Sequence, residues 1–129
     1  MRSTGAALGL LLSLAASAAL ANQFVEGYWA HEPSACVIRD DGGDEPRALT
    51  ITTTAIVGNE WGCDLRDVKR IGGSASWRAR ATCYVEGETG EDVFTFVQAG
   101  DSLHIEADTY STDDRPLIRC RTVQDRRGE

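Results

Sequence analysis

SWRARATCYVE, residues 76–86, is the stretch on which the fold turns. Trp77, Ala79, Ala81, Cys83 and Val85 take every second position, and Arg78, Arg80, Thr82, Tyr84 and Glu86 fill the others. A strand turns successive side chains to opposite faces, so this period of two describes a half-buried strand with its small-residue face inward. Runs of similar character lie at 24–30, 48–53, 55–60, 63–71, 92–99, 102–110 and 116–123. Turn-forming residues separate them: Gly42-Gly43, Gly58-Asn59, Gly72-Gly73-Ser74, Glu88-Thr89-Gly90, Ala99-Gly100-Asp101 and Asp113-Asp114-Arg115-Pro116. After Asn22 no stretch keeps apolar residues at helical spacing for more than about two turns. About eight short strands at regular intervals predict an all-β chain, either a small antiparallel meander barrel or a compact sandwich. The barrel is favoured because closure removes the edges that an open sheet of this size would expose.

The rest of the chain sets the domain organisation. With 129 residues there is room for one domain. Met1-Arg2, an Ala/Leu run from Ala6 to Leu20, and small residues at Ala19 and Ala21 read as a secretory signal peptide over 1–21. The apolar run spans about 15 residues, short of the roughly 20 that a membrane-crossing helix needs. A β-barrel domain over 22–123 and a flexible tail over 124–129 follow. Export sets the redox state: Cys36, Cys63, Cys83 and Cys120 in a small exported domain predict two disulfides, and a periplasmic or secreted location. A formal charge of −7 argues against nucleic acid or anionic lipid as partner.

Chemistry-bearing residues are few. His31 and His104 lie far apart, and no serine sits in a strand-turn-helix elbow to make a nucleophile for either. No cysteine pair has the CxxC spacing of a zinc site. Asp40-Asp41-Gly42-Gly43-Asp44-Glu45 is dense in hard oxygen ligands, but its order departs from an EF-hand loop and a solvated charged hairpin is the simpler expectation. No catalytic, metal or cofactor-binding residues are therefore assigned. Trp61, in Gly58-Asn59-Glu60-Trp61-Gly62, stands in a loop between strands, where rigid scaffolds present recognition residues. It is the candidate partner-binding residue, with a lid over the core beside Cys63 as the structural alternative. Arg78 and Arg80 form a short basic ladder, expected to offset neighbouring acids.

Gly27-Tyr28-Trp29 at the first strand, with Arg119 and Arg121 in the last, resembles the G-x-W signature of the calycin-like barrels. These include lipocalins, fatty-acid-binding proteins and the small periplasmic inhibitors of serralysin metalloproteases. The arrangement also resembles small exported bacterial proteins of unknown function. The resemblance implies that Trp29 plugs one end of the barrel beneath a cation of the final strand, with Arg121 expected as the partner in preference to Arg119. It departs from the inhibitors in having two disulfides where they typically have one, and in lacking a clear counterpart of their N-terminal arm.

Four cysteines allow three pairings. Strand counting favours Cys36–Cys63 with Cys83–Cys120, whereas a hairpin centred on Gly73 would set Cys63 opposite Cys83. Bridges between adjacent strands depart from preferred geometry, which weighs against the second arrangement. The functional expectation is an exported, non-catalytic binding module, with inhibition of a protease or other envelope enzyme as its specific form. It would act as a monomer on an envelope or secreted protein, without cofactor or membrane insertion. The alternative is a lipocalin-like carrier of a small apolar ligand, with Ala75, Ala79 and Ala81 leaving room for a cavity.

Overall fold

Alternating burial generates the architecture seen in the computed structural model, which describes residues 24–38, 47–73 and 75–125. The expected signal peptide, the acidic stretch 40–45 and residues 126–129 of the tail lie outside the described residues. The strands are β1 (Gly27–Ala30), β2 (Val37–Ile38), β3 (Leu49–Ile51), β4 (Ala55–Val57), β5 (Trp61–Arg70), β6 (Ser76–Val85), β7 (Glu88–Ala99), β8 (Ser102–Glu106), β9 (Leu117–Arg119) and β10 (Gln124–Asp125). Eight of them close into an antiparallel barrel in the order β1-β3-β4-β5-β6-β7-β8-β9, with β9 returning to β1. β2 and β10 stand apart as a parallel pair. Among the described residues the chain is all-β apart from one 3₁₀ turn at Pro33–Ala35.

The opening motif behaves as its alternation predicts. On β6, Trp77, Ala79, Ala81 and Cys83 are buried, while Arg78 and Arg80 are exposed. Small inward residues face large ones: Ala79 stands opposite Phe94 and Ala81 opposite Leu65. Such size alternation fills a narrow barrel with its own side chains. Phe24 and Val25, ahead of β1, tuck into the same core, where the Phe24 ring meets Trp77 and Phe96 edge-on.

Trp29 is fully buried, and its Nε1 donates to the Val25 carbonyl at 3.2 Å. Its cationic partner is Arg119, not the expected Arg121. Register decides this: Trp29 pairs with Arg119 across the β1–β9 ladder, and the guanidinium carbon sits 4.3 Å from the indole ring centre. Arg121 lies beyond the end of β9 and reaches Asp101 instead, at 3.1 Å. Gly27 explains the first position of G-x-W. Its φ is +135°, and a Cβ there would stand 3.0 Å from an Arg119 guanidinium nitrogen. That nitrogen also donates to the Glu26 carbonyl at 3.1 Å.

The disulfides are Cys36–Cys120 and Cys63–Cys83, so the favoured pairing is corrected. Cys63 and Cys83 occupy directly opposite positions on β5 and β6, with Cα atoms 4.0 Å apart. Directly opposed residues on one face of a hairpin are the closest cross-strand neighbours, and that proximity outweighs the objection to adjacent-strand bridges. Cys120 has already left the barrel, its N–H bound to the Tyr28 carbonyl at 2.8 Å, and meets Cys36 in the β1–β3 connection.

Two boundaries also move. The β6–β7 turn is Glu86-Gly87, both with positive φ (51° and 82°), so the expected turn at Glu88-Thr89-Gly90 becomes the start of β7. The two-residue turn needs left-handed backbone at both positions, which glycine supplies without strain at one of them. The tail was expected to begin at 124, but Gln124 and Asp125 form β10 against β2.

Trp29→Ala is expected to lower unfolding free energy by about 3–5 kcal/mol, as truncation of a buried aromatic does. Arg119→Ala should cost about 0.5–2 kcal/mol through loss of the cation–π contact, and Arg121→Ala less than about 0.5 kcal/mol. Urea denaturation of the three variants checks this order.

Candidate functional site

The end of the barrel marked by the start of β5 carries the aromatic loop singled out from sequence. The β4–β5 connection folds back on itself: the Gly58 N–H donates to the Trp61 carbonyl at 3.0 Å, and Glu60 takes φ +66°. The Trp61 ring then lies against Gly58. A Cβ on Gly58 would fall 2.2 Å from Trp61 Nε1 and 2.4 Å from Cε2, so only glycine leaves room. Arg47 Nη2 ties the same turn down by donating to the Gly58 carbonyl at 2.7 Å.

Trp61 stacks on Tyr110, with ring centres 5.1 Å apart and an interplanar angle of 21°. Both rings are half-buried and pack on the core. Trp61 is thus a lid on the core, and it also forms one wall of a cleft. Burial pushes the Tyr110 hydroxyl above the usual tyrosine range.

Tyr110 is held by anchors on either side of it in the β8–β9 connection. Asp92, early in β7, accepts from the Thr109 N–H at 2.7 Å and the Asp108 N–H at 3.3 Å, besides its neighbour Val93 at 2.7 Å. Burial pushes the Asp92 carboxyl up, but its hydrogen bonds from Thr109, Val93 and Asp108 outweigh that and hold it below the usual carboxylate range. On the other side Thr112 is buried and fully paired. Its hydroxyl accepts from the Ile105 N–H at 3.1 Å and donates to the Ile105 carbonyl at 3.3 Å.

Between the Trp61–Tyr110 wall and the β1–β3 connection lies a cleft of about 270 Å³. Its base is apolar, with Trp29, Leu49 and Leu117, and its rim is polar, with His31, Glu32, Asn59 and Arg115. Arg115 stands 4.0 Å from Glu32. Two side-chain atoms here are buried without a hydrogen-bond partner, His31 Nδ1 and Asn59 Oδ1. A buried polar atom left unpaired costs on the order of 1–3 kcal/mol, a cost that both residues carry at the rim of the cleft. No serine, threonine or cysteine is among the residues lining the cleft.

Of the residues singled out from sequence, the structure brings His31 and Trp61 to one cleft above Trp29, and leaves His104 exposed on β8. Tyr110, Asn59 and Arg115 were not foreseen as members. Nothing in their local pattern points to the cleft, because it forms only where three separate connections meet. Among the described residues no cluster of three or more His, Cys, Asp or Glu side chains could hold a metal ion. No described helix is long and apolar enough to cross a membrane.

Comparison of the chain with protein-family models, with curated proteins and with solved structures finds no match. What the cleft can do is therefore read from its own chemistry: an apolar base, and a polar rim in which Arg115 and Glu32 pair while His31 Nδ1 and Asn59 Oδ1 lack partners.

Gly58→Ala should push the Trp61 ring off the turn, at a cost of about 1–3 kcal/mol for the forced overlap. Trp29 and Trp77 are buried, so a red-shifted component in tryptophan emission reports the displaced Trp61.

Acid should loosen the same wall. The folded Asp92 carboxyl titrates below its unfolded value, so its stabilisation is complete above about pH 4 and is lost as pH falls through the depressed folded value. Glu91 shifts in the same direction, because the Thr82 hydroxyl and the Arg66 guanidinium bind its carboxylate. Urea midpoints measured between pH 7 and pH 2 should fall below about pH 4, with a smaller fall in Asp92→Asn.

Proposed function

We propose that the protein is an exported, non-catalytic binding module that engages an envelope or secreted protein at the mouth cleft. The observation that carries this reading is the pair of unpartnered buried atoms, His31 Nδ1 and Asn59 Oδ1, in a cleft with an apolar base. A partner side chain with an apolar body and a hydrogen-bonding end would pack against the half-buried Trp61–Tyr110 wall and reach the polar rim at His31, Asn59 and Arg115. The cleft's volume of about 270 Å³ matches one inserted side chain better than a free drug-sized ligand, whose pockets run from about 300 to 1,000 Å³. Inhibition of an envelope enzyme is the form such insertion takes when the partner is a protease or hydrolase.

Export is supported by the signal-like start and by two disulfides, which persist in oxidising compartments. The G-x-W resemblance supports the same class of small exported barrel, with Arg119 as the cation over Trp29. A lipocalin-like carrier has less support, because Phe94 and Leu65 occupy the space beside Ala79 and Ala81.

Affinity capture from periplasmic or culture-medium extract tests the reading. The wild-type protein should retain one dominant protein, and Asn59→Ala and Trp61→Ala, each checked for folding by circular dichroism, should lose it. Retention indifferent to both substitutions, or a small apolar ligand carried by the protein in a native mass spectrum, would overturn it.

A further inference from the structure

Away from the cleft, the outer face of the β5–β6 hairpin concentrates positive charge on a chain whose formal charge is −7. A β-bulge sets the register of its cations. Along β5, Cys63 and Leu65 are buried and Asp64 and Arg66 exposed, until the register against β6 slips between Arg66 and Lys69. Asp67 there takes φ +54°. The extra residue resets the alternation, so Val68 packs against the core and Lys69 is exposed. An uninterrupted strand would have turned Asp67 and Lys69 into the barrel and Val68 out of it. Bulges commonly re-aim a side chain in this way.

The reset sets Lys69 directly opposite Arg78, just as Arg66 stands opposite Arg80. Like charges in directly opposed positions are destabilising, so the arrangement calls for compensation. Arg66 has it, from the Glu91 carboxylate. Arg80 lies 3.7 Å from Asp67. No ion pair among the described residues engages Lys69 or Arg78. With Arg70, Arg80 and Ile71 they line a groove of about 470 Å³ in which Asp67 is the single acid.

We propose that this groove binds a small multivalent oxyanion of the phosphate or sulfate class. Guanidinium groups present planar forks to such oxygens, and the Lys69 ammonium adds a point charge. The free small anion is the expected source rather than a phosphate-bearing surface. The surrounding acidic chain repels an extended polyanion, whereas a small anion in the groove lies within the Debye length, about 8 Å at physiological salt, of these cations.

Titration of ¹⁵N-labelled protein with pyrophosphate, at an ionic strength of about 0.01 M and against matched sodium chloride, tests the site. Saturable amide shifts confined to residues 66–72 and 76–80 are expected. The Lys69→Gln/Arg78→Gln double variant should bind at least about tenfold more weakly, and Arg121→Gln as tightly as the wild type. Absence of saturable shifts, or equal binding by the double variant, would overturn the proposal. Co-sedimentation with phosphatidylglycerol vesicles that the double variant loses would also overturn it, because the ligand would then be a lipid headgroup and not the free anion.

Discussion

The barrel closes along a seam of two residue pairs, Trp29 with Arg119 and Ala30 with Ile118. So short a ladder offers few hydrogen bonds to join the first and last strands. Side chains supply the rest: the Arg119 guanidinium lies over the Trp29 ring and donates to the Glu26 carbonyl, and Gly27 leaves the space it passes through. Just beyond the seam, Cys120 hydrogen-bonds to Tyr28 and bridges to Cys36, and β10 then pairs with β2. Backbone ladder, cation–π contact and disulfide therefore act on one line. Loss of that line would leave two sheet edges, which a domain this small has little core to offset.

The two disulfides constrain the chain on different scales. Cys36–Cys120 joins residues 84 apart and restricts the unfolded chain by about 4.5 kcal/mol in the chain-entropy account. Cys63–Cys83 joins residues 20 apart and contributes about 3.3 kcal/mol on the same basis. The long bridge holds the ends of the barrel together, and the short one fixes the register of the β5–β6 hairpin. Both matter to the mouth cleft. Trp61 opens β5 two residues before Cys63, while His31 and Glu32 lie in the connection that Cys36 pins.

Much of the fold was legible because a period of two is a local property. Trp77, Ala79 and Ala81 declared the inward face of β6, and the turns at Gly58, Gly72 and Gly100 separated the strands. What escaped was non-local or broke the period. Arg119 and Arg121 share a parity, and only the pairing of β1 with β9 distinguishes them. Cys63 and Cys83 are equidistant from Gly73 and bridge as opposed hairpin neighbours, so the general objection to adjacent-strand disulfides does not hold here. The bulge at Asp67 left a readable trace, since apolar positions run Cys63, Leu65 and then Val68 instead of 67. The turn at Glu86-Gly87 was hidden because glutamate is an uncommon residue for left-handed backbone. Trp61 stood out from its loop alone, but its partner Tyr110 comes from a connection about fifty residues away, fixed by Asp92 and Thr112. Cleft membership follows from which connections share one end of a barrel, and the strand count could not resolve that.

The β1–β9 seam can be read directly by nuclear magnetic resonance. The Cys120 N–H bond to Tyr28 makes residues 28 and 120 a hydrogen-bonded pair, so Trp29 and Arg119 form the adjacent close pair without ladder bonds. A strong Overhauser contact between the Hα protons of Trp29 and Arg119 is predicted, together with upfield-shifted Arg119 side-chain resonances from the indole ring. Absence of that contact in fully assigned spectra, with the amides of β1 and β9 exchanging as free edges, would contradict the closed barrel and the cleft built on it.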